Sequence, residues 1–144
     1  MLNLFSQTPR SDAVIITGAS TGIGAACALA LDQAGYRVFA GIRNAADGEQ
    51  LQRRAGPRLM PIRLDVTDEA SIAAANHTVS AMVGEHGLAG LINNAGIGIA
   101  GPIEALPLAE WRRQFEVNVF GLIATTQTFL PLIRQGRGRI LNMG

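Results

Sequence analysis

Ala13-Val14-Ile15-Ile16-Thr17-Gly18-Ala19-Ser20-Thr21-Gly22-Ile23-Gly24 is the stretch that decides how this chain folds. The four apolar residues Ala13 to Ile16 read as a short buried strand, which Thr17 and Gly18 break. Gly22 and Gly24 open a helix whose apolar residues, Ile23, Ala26, Cys27, Ala30 and Leu31, recur at helical spacing. A strand, a glycine turn and a helix start together form an anion site. The helix N-terminus presents unpaired N–H groups and a partial positive charge, and glycine lets an anion come close to them. Gly18 suits the sharp turn off the strand, Gly22 keeps a side chain out of the anion's path, and Gly24 lets the first helical turn lie near the strand. Ser20 and Thr21 add hydroxyls at the same place. An ordinary strand-to-helix turn has a similar glycine content, so the context must decide. The spacing is G-x-x-x-G-x-G rather than G-x-G-x-x-G. A lysine-bearing phosphate loop is a poor rival, because it needs a G-K-[ST] ending and all twelve basic residues here are arginine.

Length and composition narrow the classes. At 144 residues the chain has room for one domain with a core. Its hydrophobic content of 48%, charged content of 16% and net charge of +1 describe a globular protein without a nucleic-acid footprint. The single cysteine, Cys27, rules out an internal disulfide and reads as core on the first helix. Residues 1–11 form a mixed polar tail without signal-peptide character, leaving residues 12–144 as the domain. No stretch reads as long and apolar enough to span a bilayer, which makes a cytoplasmic protein with no membrane partner the expectation. His77 and His86 are nine residues apart on one helix, which is not a one-face ligand pair, and no metal is expected.

Beyond the first helix, Ala34-Gly35 is a stop, and Arg37 to Ile42 is a second strand, with Arg43-Asn44 at its carboxyl end. Ala46 to Ala55 is a short polar helix. Leu59 to Leu64 is a third strand that carries Pro61, so it belongs at a sheet edge. Asp65-Val66-Thr67-Asp68 leads into a third helix reaching about His86, with Ile72, Ala75, Val79, Met82 and Val83 inward. Leu88 to Ile92 is a fourth strand that runs into Asn93-Asn94-Ala95-Gly96. A glycine-rich loop, Ile97 to Pro107, precedes a long helix from Leu108 to about Arg134. Its apolar stripe is Leu108, Trp111, Phe115, Val119, Leu122, Ile123, Phe129 and Leu130, and Pro131 should kink or end it. Trp111 and Phe115, one turn apart, read as core. Arg139 to Met143 is a fifth strand. Alternation of strands and helices predicts an α/β fold, a doubly wound parallel sheet of Rossmann type. The order 3-2-1-4-5 puts Pro61 on an outer strand and a ligand crevice between strands 1 and 4, where Gly18 meets Asn94-Ala95-Gly96.

Thr17-Gly18-x-x-x-Gly22-Ile23-Gly24, Asp65-Val66, Asn93-Asn94-Ala95-Gly96 and Asn118, in this order, resemble the short-chain dehydrogenase/reductase family from about Ser11 to Gly144. The resemblance implies an oxidoreductase that moves hydride between a nicotinamide dinucleotide and a small alcohol or carbonyl substrate. It implies that Gly18, Ser20, Thr21, Gly22, Ile23 and Gly24 hold the diphosphate. Asp65 and Val66 would hold the adenine. Asn94, Ala95 and Gly96 would line the adenosine side, and Thr17 would hydrogen-bond toward the Asn94 segment. Asn118 would be the catalytic-helix asparagine that organises a proton-relay water. Each position also has a plainer reading: Asp65 as a helix-start residue, Asn93 and Asn94 as turn partners, Asn118 as a structural hydrogen bond. At the end of the second strand an acid would favour NAD, whereas room and positive charge favour the 2′-phosphate of NADP. Ile42 is followed by Arg43, with no acid before Asp47, so NADP is expected over NAD.

The chain departs from the family beyond its fifth strand. Family members place a catalytic serine after this strand and a Tyr-x-x-x-Lys pair further on. Here the only tyrosine is Tyr36 and there is no lysine. The expectation is therefore a cofactor-binding half without its Ser/Tyr/Lys residues. The alternative is a non-catalytic nucleotide-binding or interaction module. A sugar-nucleotide epimerase is disfavoured by the Asn93-Asn94-Ala95-Gly96 run. An unpaired fifth strand would invite self-association, and the Arg37 to Asp65 region resembles hydroxysteroid and retinol dehydrogenase relatives.

Overall fold

The computed structural model describes residues 12–144, so the expected tail, residues 1–11, lies outside the described residues. Five parallel strands, β1 (Ala13–Ile16), β2 (Arg37–Ile42), β3 (Leu59–Arg63), β4 (Gly90–Asn93) and β5 (Arg139–Asn142), form one sheet in the order β3-β2-β1-β4-β5. The expected doubly wound arrangement is present. Pro61 lies on β3, whose only strand neighbour among the described residues is β2, so its missing N–H disturbs no ladder in the middle of the sheet.

Alternation along β1 divides the core in two. Ala13 and Ile15 point to the side where Phe39 and Leu91 meet α3 (Glu69–Val83) and α5 (Leu122–Gln135), through Ile72, Val79, Phe129 and Ile133. Val14 and Ile16 point to the side where Val38 and Ala40 meet α1 (Gly22–Gln33) and α2 (Ala45–Gln52), through Ala25, Ala28 and Leu51. Both faces of the central strand are therefore covered, as a parallel sheet requires.

The inward face of α1 differs from the expectation. The helix buries Gly24, Ala25, Ala28 and Asp32, while Ile23 is 63% exposed. Cys27 and Leu31 pack only at the margin of the core. The helix is mostly small and apolar around its circumference, so hydrophobicity alone cannot orient it. Closeness of approach does: a Cβ at Gly24 would collide with the Gly18 carbonyl oxygen and Asn94 Nδ2. Buried Asp32 accepts a hydrogen bond from Gly56 N (2.5 Å) and so ties α1 to the turn before β3.

Helix α2 ends at Gln52, before the expected Ala55, and starts on Asn44, whose side chain accepts from Asp47 N. Helix α3 is capped by Asp68, which accepts from Ala70 N and Ser71 N. Its inward face holds Ile72, Ala75, Val79 and Val83, but Met82 is 45% exposed. Helix α4 (Leu108–Phe115), a π-helical segment (Glu116–Gly121) and α5 follow one another without a break. Pro131 does not end this helix. It sits on the exposed side of the helix, as does Gln127, whose carbonyl it cannot bond. Of the expected apolar stripe, Phe129 is buried, but Leu108, Phe115, Val119 and Ile123 are substantially exposed and Trp111 is half-buried. Only the C-terminal half, through Thr125, Phe129, Leu132 and Ile133, is buried; α4 buries no residue.

One sequence expectation is overturned here. Leu108–Gln135 is a 28-residue helix with mean hydropathy 1.2 in its most apolar window, long and apolar enough by length and composition to cross a membrane. The cytoplasmic expectation rested on the absence of such a stretch and loses that ground.

Candidate functional site

The site starts where β1 ends. Thr17 is buried, and its Oγ1 accepts hydrogen bonds from Asn94 N (3.0 Å) and Ala95 N (2.9 Å). Asn94 Nδ2 donates in return to Thr17 O (3.0 Å) and Gly18 O (2.9 Å). These four bonds, with Thr17 N (3.0 Å) and Thr17 Oγ1 (3.5 Å) both donating to Ile92 O, join the carboxyl ends of β1 and β4, which are neighbours because the sheet order changes direction between them. Asn94 does satisfy turn backbone, the plainer of its two sequence readings. Gly18 has φ +65°, and a Cβ there would stand 2.7 Å from Ala95 Cα, so both conformation and space require glycine. On the opposite side, Ala19 N donates to Gly41 O (2.9 Å), which anchors the turn to β2 as well.

Helix α1 begins directly above this junction. Its N-cap, Thr21, is extended, and its hydroxyl makes no capping bond. The first N–H groups of the helix have no partner within it and face the turn. Gly22 has φ +57°, and a Cβ there would meet nothing within 4 Å. The result is an open, electropositive cradle with a spare hydroxyl beside it.

This cradle is one end of a cavity of about 680 Å³. Gly18, Ser20, Thr21, Ile23 and Gly24 line the cradle end; Arg43, Asp65 and Val66 line the side toward β2 and β3; Asn94, Ala95 and Gly96 line the β4 side. Of the expected cofactor positions, Gly22 alone is absent from the wall; it shapes the turn instead. Leu64, Thr67, Ile97, Arg113, Glu116 and Val117 complete the lining and were missed as site residues from the sequence. For Arg113 and Glu116 the one signal was the polar rows interleaved with the apolar stripe of the long helix. His77 is exposed on α3, which ends at Val83 and does not reach the expected His86; His86 is exposed in the 3-10 turn, Gly84–His86, that follows. Among the described residues no cluster of three or more His, Cys, Asp or Glu could hold a metal ion.

Asp65 sits on the wall with its carboxylate held down by Thr67. Its Oδ1 accepts from Thr67 Oγ1 (2.7 Å) and Thr67 N (3.0 Å). Those bonds keep its pKa below the ordinary 3.8; burial pushes the other way, and Arg43 and Arg63 add to the lowering. Ser71 Oγ accepts from Asp65 N (3.0 Å) and fixes the backbone there. Arg43 is exposed and lies at the junction with a second cavity of about 500 Å³, which Asn44 and Arg63 also line.

Asn118 lies in the π-helical segment. Its Oδ1 accepts from Ile97 N (2.9 Å), and its Nδ2 donates to Ile97 O (2.8 Å). Gln114, one turn earlier, treats Ile99 in the same way: Oε1 accepts from Ile99 N (3.1 Å) and Nε2 donates to Ile99 O (2.9 Å). Asn93, adjacent to the site, donates through Nδ2 to Thr126 Oγ1 and Asn142 Oδ1, both at 2.9 Å.

The cavity's size falls within the usual range for small-molecule and cofactor sites. The open cradle at the start of α1 suits a diphosphate, so the residues present fit a dinucleotide. The family described as short chain dehydrogenase matches residues 12–144. Retinol dehydrogenase 5 of Mus musculus is 44% identical over 137 residues, covering 94% of this chain and 43% of that protein. The 17-beta-hydroxysteroid dehydrogenase type 2 of Homo sapiens is 39% identical over 134 residues, covering 91% of this chain and 35% of that protein. A solved short-chain dehydrogenase from Streptomyces avermitilis superposes with a TM-score of 0.82 at 33% identity, over 92% of this chain and 48% of that one. The chain spans less than half the length of each.

Proposed function

Because the chain belongs to the short chain dehydrogenase family, we propose that it is the cofactor-binding part of an NADP-dependent oxidoreductase acting on an alcohol or carbonyl substrate. The observation that carries the reading is the meeting of the Gly18 turn with Asn94-Ala95-Gly96 at one end of a half-open cavity, beside the N-terminus of α1. In this reading Ser20 and Thr21 donate to the diphosphate beside the backbone amides of Gly22, Ile23 and Gly24. Asp65 and Val66 hold the adenine, and Arg43 pairs with the 2′-phosphate. When bound, the cofactor supplies the hydride acceptor or donor. Both ends of the Asn118 amide are engaged with Ile97. Any relay water that Asn118 organises therefore meets the backbone of the widened π turn rather than the side chain. The two relatives, named a retinol dehydrogenase and a 17-beta-hydroxysteroid dehydrogenase, support an apolar alcohol as the substrate class.

A second reading, a non-catalytic nucleotide-binding module, is favoured by one observation. The chain has a single tyrosine, Tyr36, which stands off the cavity wall, and no lysine to depress a tyrosine's pKa. No wall residue combines those roles for protonating an alkoxide.

Calorimetry with NADPH and NADH tests the assignment. A charge-assisted pair from Arg43 should make NADPH bind about tenfold or more tighter than NADH, and Arg43→Met should abolish the difference. A clear NADH preference would defeat the NADP assignment, and uptake of neither by folded protein would defeat nucleotide binding.

A further inference from the structure

The paired amides of Gln114 and Asn118 have a geometric rationale. Four residues along an α-helix advance about 6 Å. Two residues of extended chain advance about 6.6 Å. Side-chain amides at i and i+4 on one helix face can therefore bond alternate residues of an extended segment lying beside it. An amide carries both a donor and an acceptor, so each makes the two bonds that a neighbouring strand residue would make. Here Gln114 takes Ile99 and Asn118 takes Ile97, running antiparallel, while the N–H of Gly98 between them donates to nothing among the described residues. The helix acts as a surrogate strand for a segment that has no strand of its own to pair with. Ile97 lies on the cavity wall directly after Gly96, and Arg113, Glu116 and Val117 reach the same wall from the helix positions between and beside the two amides.

We propose that Gln114 is a positioning residue: the second rung of a side-chain amide ladder that fixes the 97–99 segment and so holds Gly96 and Ile97 on the wall against which the dinucleotide lies. This rests on the nucleotide-binding reading above. Neither end of Gln114 points to the ligand; it acts through the backbone of Ile99.

Backbone amide exchange measured by NMR, with NADP+ titrations of the same protein, tests this. The Ile97 and Ile99 amides should be protected and that of Gly98 should not. In Gln114→Leu, Ile99 should exchange at the Gly98 rate while the core amides of Ile15 and Leu91 stay protected, and the Kd for NADP+ should rise about five- to tenfold, the loss expected for one or two neutral hydrogen bonds. Gln114→Glu separates positioning from bulk packing. Its carboxylate still accepts from Ile99 N but faces Ile99 O, so affinity should fall at pH 7. It should recover in part toward pH 5 as protonation restores a donor, a recovery absent from the unsubstituted protein. Fast exchange of Ile99 in the unsubstituted protein would overturn the ladder. A Kd within twofold of normal in Gln114→Leu would overturn its role in binding. Failure of the unsubstituted protein to bind any nucleotide would overturn the functional reading and the positioning role with it. An NADH preference, in contrast, would leave the ladder standing.

Discussion

Asp65 shows how one residue joins the site to stability. Its carboxylate is held by two Thr67 bonds and by the fields of Arg43 and Arg63, and its pKa is lowered below 3.8. A lowered carboxyl pKa contributes stability that is fully present above the unfolded value and is lost as pH falls through the folded one. Asp65→Asn keeps an acceptor oxygen for Thr67 but removes the charge. The protein should therefore be more stable than Asp65→Asn by a constant margin from pH 7 down to about pH 5. That margin should narrow at lower pH, as followed by urea unfolding. A margin that widens on acidification would contradict the assignment. Arg43 was legible as a residue because it follows an apolar strand without an acid nearby. Arg63 was not, because only the pairing of β2 with β3, Ile42 opposite Arg63, brings the two arginines to one end of the sheet.

At the level of elements, the Thr17 hydroxyl is the fastener between β1 and the segment after β4. Thr17→Val is nearly isosteric and leaves the Asn94 and Ala95 N–H groups without their acceptor in a partly buried place. It should cost about 2–4 kcal/mol in thermal or urea unfolding, and Thr17→Ser should recover most of the loss. Equal losses for Val and Ser would mean that the methyl, not the hydroxyl, matters. The strand positions were legible because each is a short apolar run bounded by turn residues: β1 and β2 have the expected limits, and β3 and β5 fall within a residue of theirs, but β4 is Gly90–Asn93 rather than Leu88 to Ile92, since Leu88 N donates to Leu132 O at the end of α5 instead of joining the sheet. Helix faces were harder to read. On α1, uniform small residues gave no preferred side, and close approach at Gly24 chose it. On α4, a clear apolar stripe has no described element beneath it. The Gln114–Asn118 pair was hidden because each, taken alone, is a polar residue beside that stripe.

For the whole molecule, β5 is the open question in the sheet. All four of its residues are exposed, and Ile140 and Leu141, on opposite faces, are 37% and 49% exposed. Its outer row of N–H and C=O groups has no partner strand among the described residues, which makes it a template for pairing. We infer that the chain associates through this edge or is covered there by further polypeptide. Sedimentation velocity over a concentration series should show self-association of this chain that Ile140→Lys with Leu141→Lys removes, since edge charges repel a second copy. A monomer at every concentration would refute association of this chain through the edge.

The sequence by itself determined the parallel α/β architecture and the strand order, and it singled out most of the residues that line the main cavity. Those features depend on local causes: apolar runs, a proline that must lie at an edge, and glycines spaced for a turn under a helix start. Tertiary structure alone decided which side of α1 faces the sheet, that the long helix runs on past Pro131, and that Gln114 and Asn118 hold the 97–99 segment. Each of these depends on the distance between groups far apart in the chain, where a collision or a hydrogen bond at about 3 Å sets the outcome and no pattern of neighbours in the sequence encodes it.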